Sequence, residues 1–168
     1  AAERANPHLA EAPEPSPGRR YAPPHGASPA THLLSNGRYS VLLTAAGGGC
    51  SRWRNQALTR WREDSVRDDW GAFIYLRDMG SGRVWSAGYQ PTAAEPSEYA
   101  VTFFADRAEY SRRDGELLTS LVVLVSAEDD GELRRVTLTN TGDMEREVEI
   151  TSYAELVLAP DDADAAHP

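Results

Sequence analysis

The chain contains no lysine, and all of its basic side chains are arginine. That is read here as a bias of composition and not as a function. Cysteine is almost missing: Cys50 stands alone, so no internal disulfide and no cysteine-based metal framework can form. Long apolar runs are missing too. The longest, Leu121 to Val125, is far short of the roughly 20 residues that a membrane helix needs. No apolar stretch follows the N-terminus, so no signal peptide is visible. Positive charge is in deficit. The net charge is -9, and an acidic surface repels a phosphate backbone, which argues against nucleic acid as a partner. Histidine is sparse: His8, His25, His32 and His167 lie far apart, with no metal-ligand spacing and no credible Ser-His-Asp arrangement.

What is present is one domain's worth of β pattern. The 168 residues are enough for a core. Residues 1 to 30 are rich in Pro and Ala and are assigned to a linker, because Pro13, Pro15, Pro17, Pro23, Pro24 and Pro29 oppose sheet and helix alike. From residue 31 to 168 short strand-like runs alternate with turn signals. They include RYSVLLT at 38–44 after Asn36-Gly37, AFIYLRD at 72–78, RVWSAGYQ at 83–90, YAVTFFAD at 99–106 and RAEYSRR at 107–113. LLTSLVVLVS at 117–126, ELRRVTLTN at 132–140 and REVEITSYAELVL at 146–158 complete the series. In the last run Val148, Ile150, Ser152, Ala154, Leu156 and Leu158 share one face, which is expected to be the buried one. The expected fold is all-β, an antiparallel sandwich preceded by a linker.

The candidate chemistry lies in residues 45 to 70, read as a long loop. Gly47, Gly48 and Gly49 allow sharp bends but form no phosphate-binding loop without a following helix. Behind them stand Ser51, Arg52, Trp53, Arg60 and Trp61. Aromatic rings stack on the apolar faces of sugars, and arginines bond the hydroxyls. The same mixture suits a protein interface or a core. Glu63, Asp64, Asp68 and Asp69 lack the calcium-loop spacing and have Arg60, Arg62 and Arg67 as salt-bridge partners. Asp161, Asp162 and Asp164 are read as a solvated tail. No catalytic residue, metal or cofactor is assigned.

Four segments in order carry a family resemblance. They are LLSNGRYSVLLTAAGGGCSRW, LTRWREDSVRDDWGAFIYLRD, SGRVWSAGYQP and VTLTNTGDMEREVEITSYAELVLAP. Together they resemble the N-terminal supersandwich of the phosphorylases of glycoside hydrolase family 94, formerly glycosyltransferase 36. Within it the likeness is to the phosphorylase-like region of bacterial cyclic β-1,2-glucan synthases. The family usually has Tyr where this chain has Cys50. The resemblance implies a galactose-mutarotase-like supersandwich beside an (α/α)6 barrel that holds the general-acid Asp and the phosphate site. There phosphate attacks a β-glucoside with inversion, in place of the water of an inverting hydrolase. It implies as partners that barrel in the same parent chain, a β-glucan and inorganic phosphate, and it leaves a homo-oligomer open. It places the parent at the bacterial inner membrane, cytoplasmic side. The first residue is Ala and not Met, which fits a cut piece. An independent carbohydrate-binding module, or a structural interaction domain, is the competing reading.

Overall fold

A computed structural model describes residues 17–22, 30–62, 68–160, 163 and 166. The assignments resting on His8, His25, His167, Glu63, Asp64, Arg67, Asp161, Asp162 and Asp164, and on all the linker prolines except Pro17, lie outside these. Among the described residues thirteen strands run in chain order: β1 (Arg19–Tyr21), β2 (Thr31–Ser35), β3 (Tyr39–Thr44), β4 (Gly49–Trp53), β5 (Gln56–Thr59), β6 (Ala72–Asp78), β7 (Val84–Ser86), β8 (Glu98–Phe103), β9 (Arg107–Asp114), β10 (Leu117–Val125), β11 (Glu132–Asn140), β12 (Val148–Ala154) and β13 (Leu156–Ala159). They form three sheets, in the orders β1-β8-β9-β10-β11, β12-β6-β7 and β13-β5-β4-β3-β2. Every pairing is antiparallel. The fold is thus an all-β sandwich, as the turn-punctuated pattern requires.

One core joins the sheets. Val41 and Leu43 from β3, Leu76 and Trp85 from β6 and β7, and Val101, Tyr110, Leu121 and Val123 from β8, β9 and β10 meet in a single cluster. Alternation puts them there: in β10 the residues Leu117, Thr119, Leu121 and Val123 are buried while their neighbours are half-buried.

Three sequence expectations need correction. Arg19–Tyr21 falls inside the span assigned to the linker, yet it pairs with β8 as an edge strand. The interval between Pro17 and Pro23 leaves just enough proline-free backbone, and an edge is where such a short strand is tolerated. Residues 45 to 70 are not one loop, because β4 and β5 form a hairpin there with Arg54 at positive φ in the turn. Finally, the face of β12 and β13 expected to be buried is open: Ile150 is 53% and Leu156 67% exposed. β12 is the outermost strand of its sheet, so only Val148 reaches the core. Alternation tells that a strand has two faces but not which of them is covered.

Candidate functional site

One end of the sandwich is closely tied together. Three segments meet there: the β3–β4 turn at 45–48, residues 68–71 before β6, and the loop 87–97 between β7 and β8. Glycine lets them approach. A Cβ on Gly47 would stand 3.1 Å from the Cα of Gly88. The amides of Tyr89 and Gln90 both donate to the carbonyl of Ala46, at 2.9 and 2.8 Å. Gly49 donates to the carbonyl of Trp70 at 2.8 Å. The phenols of Tyr99 and Tyr110 donate to the carbonyls of Ala45 and Thr44, at 2.7 and 2.8 Å. Burial pushes both phenols well above their ordinary pKa.

Arg112, buried in β9, fixes the loop 87–97 from below. Its Nε and Nη2 form a bidentate pair with Asp114 at 2.7 and 2.8 Å. The remaining donors reach the carbonyls of Ser86 at 3.0 Å, Gly88 at 2.7 Å and Ala94 at 3.0 Å. All five guanidinium N–H groups are therefore used, which only a rigid fork achieves. The loop includes a cis peptide bond between Gln90 and Pro91. At the same end, the buried Thr44 donates its hydroxyl to the half-buried Asp68. Desolvation raises the Asp68 pKa, Thr44 works against that, and Asp69 adds to it.

The five residues singled out in the sequence do not form one cluster. Ser51 is 2% exposed, and its hydroxyl donates to Glu132 at 2.7 Å. Glu132 also accepts from Tyr39 at 3.3 Å and pairs with Arg134 at 2.7 Å, so Ser51 belongs to a polar tie between sheets. Arg52 follows it, half-buried in β4. Trp53 ends the strand remote from the glycine run, where its Nε1 donates to Asp130 at 2.6 Å and the Arg54 guanidinium lies over its ring at 4.9 Å. Trp53 pairs with Gln56, so the hairpin carries Arg60 and Trp61 back toward the opposite end. Arg60 bridges to Glu155 at 3.6 Å, and Trp61 remains 47% exposed. Cys50 sits half-buried in β4.

Sequence reasoning passed over Arg112, Tyr99, Tyr110 and the loop 87–97. The one available signal was the charged pair at positions 112 and 114 on the face of β9 that also carries Ala108 and Tyr110. Among the described residues no group of three or more His, Cys, Asp or Glu could hold a metal ion, and no helix is long and apolar enough to cross a membrane.

Antiparallel sheets closed on one core, with a rigid loop-bearing end, define a β-sandwich domain. More narrowly, the chain belongs to the glycosyl hydrolase 94 supersandwich family, whose model matches residues 16–168. It is 52% identical over 139 residues to the cyclic beta-(1,2)-glucan synthase NdvB of Rhizobium meliloti (strain 1021), a match covering 82% of this chain and 5% of that protein. It is 32% identical over 130 residues to a 3-O-beta-D-glucopyranosyl-beta-D-glucuronide phosphorylase of Paenibacillus borealis, covering 74% of this chain and 16% of that one. An N,N'-diacetylchitobiose phosphorylase of Vibrio proteolyticus is 24% identical over 137 residues, covering 79% and 17%. The chain therefore spans a small part of each relative.

Proposed function

We propose that this domain is an accessory, carbohydrate-associated part of a larger protein, a cyclic β-1,2-glucan synthase or a related inverting β-glucoside phosphorylase. In that setting it flanks a catalytic (α/α)6 barrel and contributes to glucan synthesis and chain-length control. The parent sits at the bacterial inner membrane, with this segment on the cytoplasmic side. The observation that carries the reading is the 52% identity to a glucan synthase of which the chain matches only 5%.

The geometry supports a positioning role. Several buried or half-buried carboxylates have structural tasks: Asp114 holds Arg112, Glu132 holds Arg134 and Ser51, Asp78 holds Arg146 at 2.9 Å, and Asp68 accepts from Thr44. In this reading the acid and the phosphate site belong to the barrel. Phosphate attacks the anomeric carbon there while the acid protonates the leaving oxygen. The hydrogen-bonded end of the sandwich supplies a fixed surface for the barrel to rest on, and Arg60 and Trp61 form its accessible rim.

The test uses the parent protein. Trp61→Ala should alter glucan chain length or subunit association while the melting temperature of the sandwich stays unchanged. Excising residues 16–168 should abolish turnover or broaden the product lengths. Unchanged kinetics and product lengths after the excision would sink the accessory reading.

A further inference from the structure

We propose that the outward face of the β12-β6-β7 sheet is a secondary docking groove for a neutral β-linked gluco-oligosaccharide. The register defines it. Directly opposed residues of an antiparallel ladder share a face. Val84, Arg77 and Glu149 form one row across the three strands, and Tyr75 with Thr151 forms the next. These residues, with Leu76, line an open groove of about 250 Å³. This is below the usual range for drug-sized ligands, so the groove suits a short segment of a longer chain. Tyr153 extends it, its ring 6.3 Å from that of Tyr75.

Three features select the ligand. An aromatic ring and an exposed valine offer a platform for the apolar face of a pyranose. Around them stand a donor-only group, an acceptor-only group and a hydroxyl, on Arg77, Glu149 and Thr151. Arg77 and Glu149 face one another across the ladder without an ion pair between them, so both keep hydrogen-bonding capacity for a ligand. The two charges cancel locally on a chain of net charge -9, which matches a neutral polyol and not an anion. The groove is separate from the Arg60–Trp61 rim, and the choice of a glucan rests on the function proposed above.

The experiment is a titration of the isotope-labelled chain with a linear β-1,2-linked gluco-oligosaccharide at millimolar concentrations, followed by amide NMR. Shifts are expected at Tyr75, Arg77, Glu149 and Thr151, with none at the core residues Val41 and Leu43. Arg77→Ala removes an exposed side chain and should weaken binding about tenfold, the loss of one charged hydrogen bond. Thr151→Val serves as a second variant, and a thermal melt establishes that both fold. No shifts, or shifts that neither variant affects, would overturn the proposal. So would concentration-dependent shifts of the same amides without sugar, since they assign the face to a second copy. In the parent protein, a Val84→Cys variant whose added thiol resists maleimide with or without glycan would show that the rest of that chain covers the groove, which also overturns it. Loss of groove binding with turnover still dependent on the domain sinks the groove alone. Groove binding without such dependence sinks only the accessory reading.

Discussion

Arg112 shows how one side chain can hold a loop without taking part in chemistry. Its charge is buried, so its worth depends on complete pairing. Arg112→Met leaves Asp114 buried beside only the more exposed Arg83, at 3.2 Å. Chemical denaturation should register a loss of about 3 kcal/mol, the lower end for breaking a buried pair, because Arg83 compensates in part. Arg112→Lys keeps the charge but has three donors and no fork. It should fall between the wild type and Arg112→Met. Asp68 gives a prediction of opposite character. Burial raises its folded pKa above the unfolded value, so the folded state holds the proton more tightly. Stability contributed by that group is present at low pH and declines as pH rises from the unfolded to the folded pKa. Asp68→Asn should remove this decline. Unfolding free energies measured across the acid range would show a flatter profile for the variant, and parallel profiles would refute the assignment.

At the scale of elements, the start of β4 is the sharpest test of packing. Gly49 has φ of 146°, and a Cβ there would lie 1.9 Å from the carbonyl oxygen of Leu42. Gly37 also has positive φ, at 89°, but nothing lies within 4 Å of its Cβ position. Gly37→Ala should therefore cost about 1 kcal/mol from backbone conformation alone. Gly49→Ala should cost clearly more, and thermal melts of the pair isolate the steric part. The β10 and β6 strands were legible because apolar alternation and flanking turns agreed. β4 and β5 were not, since both are short and Gly49 and Ala57 are weak strand formers that pairing with neighbouring strands holds in register. The strand reading of residues 83–90 ran too long. β7 ends at Ser86, where the bonds from Arg112 take over the backbone carbonyls that a ladder would use. Of the candidate site, the sequence pointed to composition but not to place. Trp53 and Trp61 lie eight positions apart in the chain, yet the hairpin sends them to opposite ends.

The molecule as a whole presents edges. β11 and β12 are each the last strand of a sheet, and Leu133, Ile150 and Leu156 stand exposed along them and β13. Such edges are normally covered or blunted with charge. Arg135, Glu147 and Glu149 supply some of that charge here. The purified chain alone should release no glucose 1-phosphate from β-glucosides and phosphate, because the acid and phosphate groups are assigned to the barrel. Turnover that one substitution within residues 17–160 abolishes would refute this. Family membership speaks to where the domain belongs, while the arrangement of its side chains speaks to what it holds still.

The tie between Ala46 and the 87–97 loop has a kinetic consequence. Loop amides normally exchange with solvent deuterium through small local openings. Those of Tyr89 and Gln90 cannot open without moving Ala46, Gly47 and Gly88 together, and the carbonyls on either side are held by Arg112. Their exchange should match that of the β9 and β10 amides and follow global unfolding, although they belong to no strand. In the Arg112→Met variant the same two amides should exchange ahead of β10, which would show the loop opening as a unit of its own.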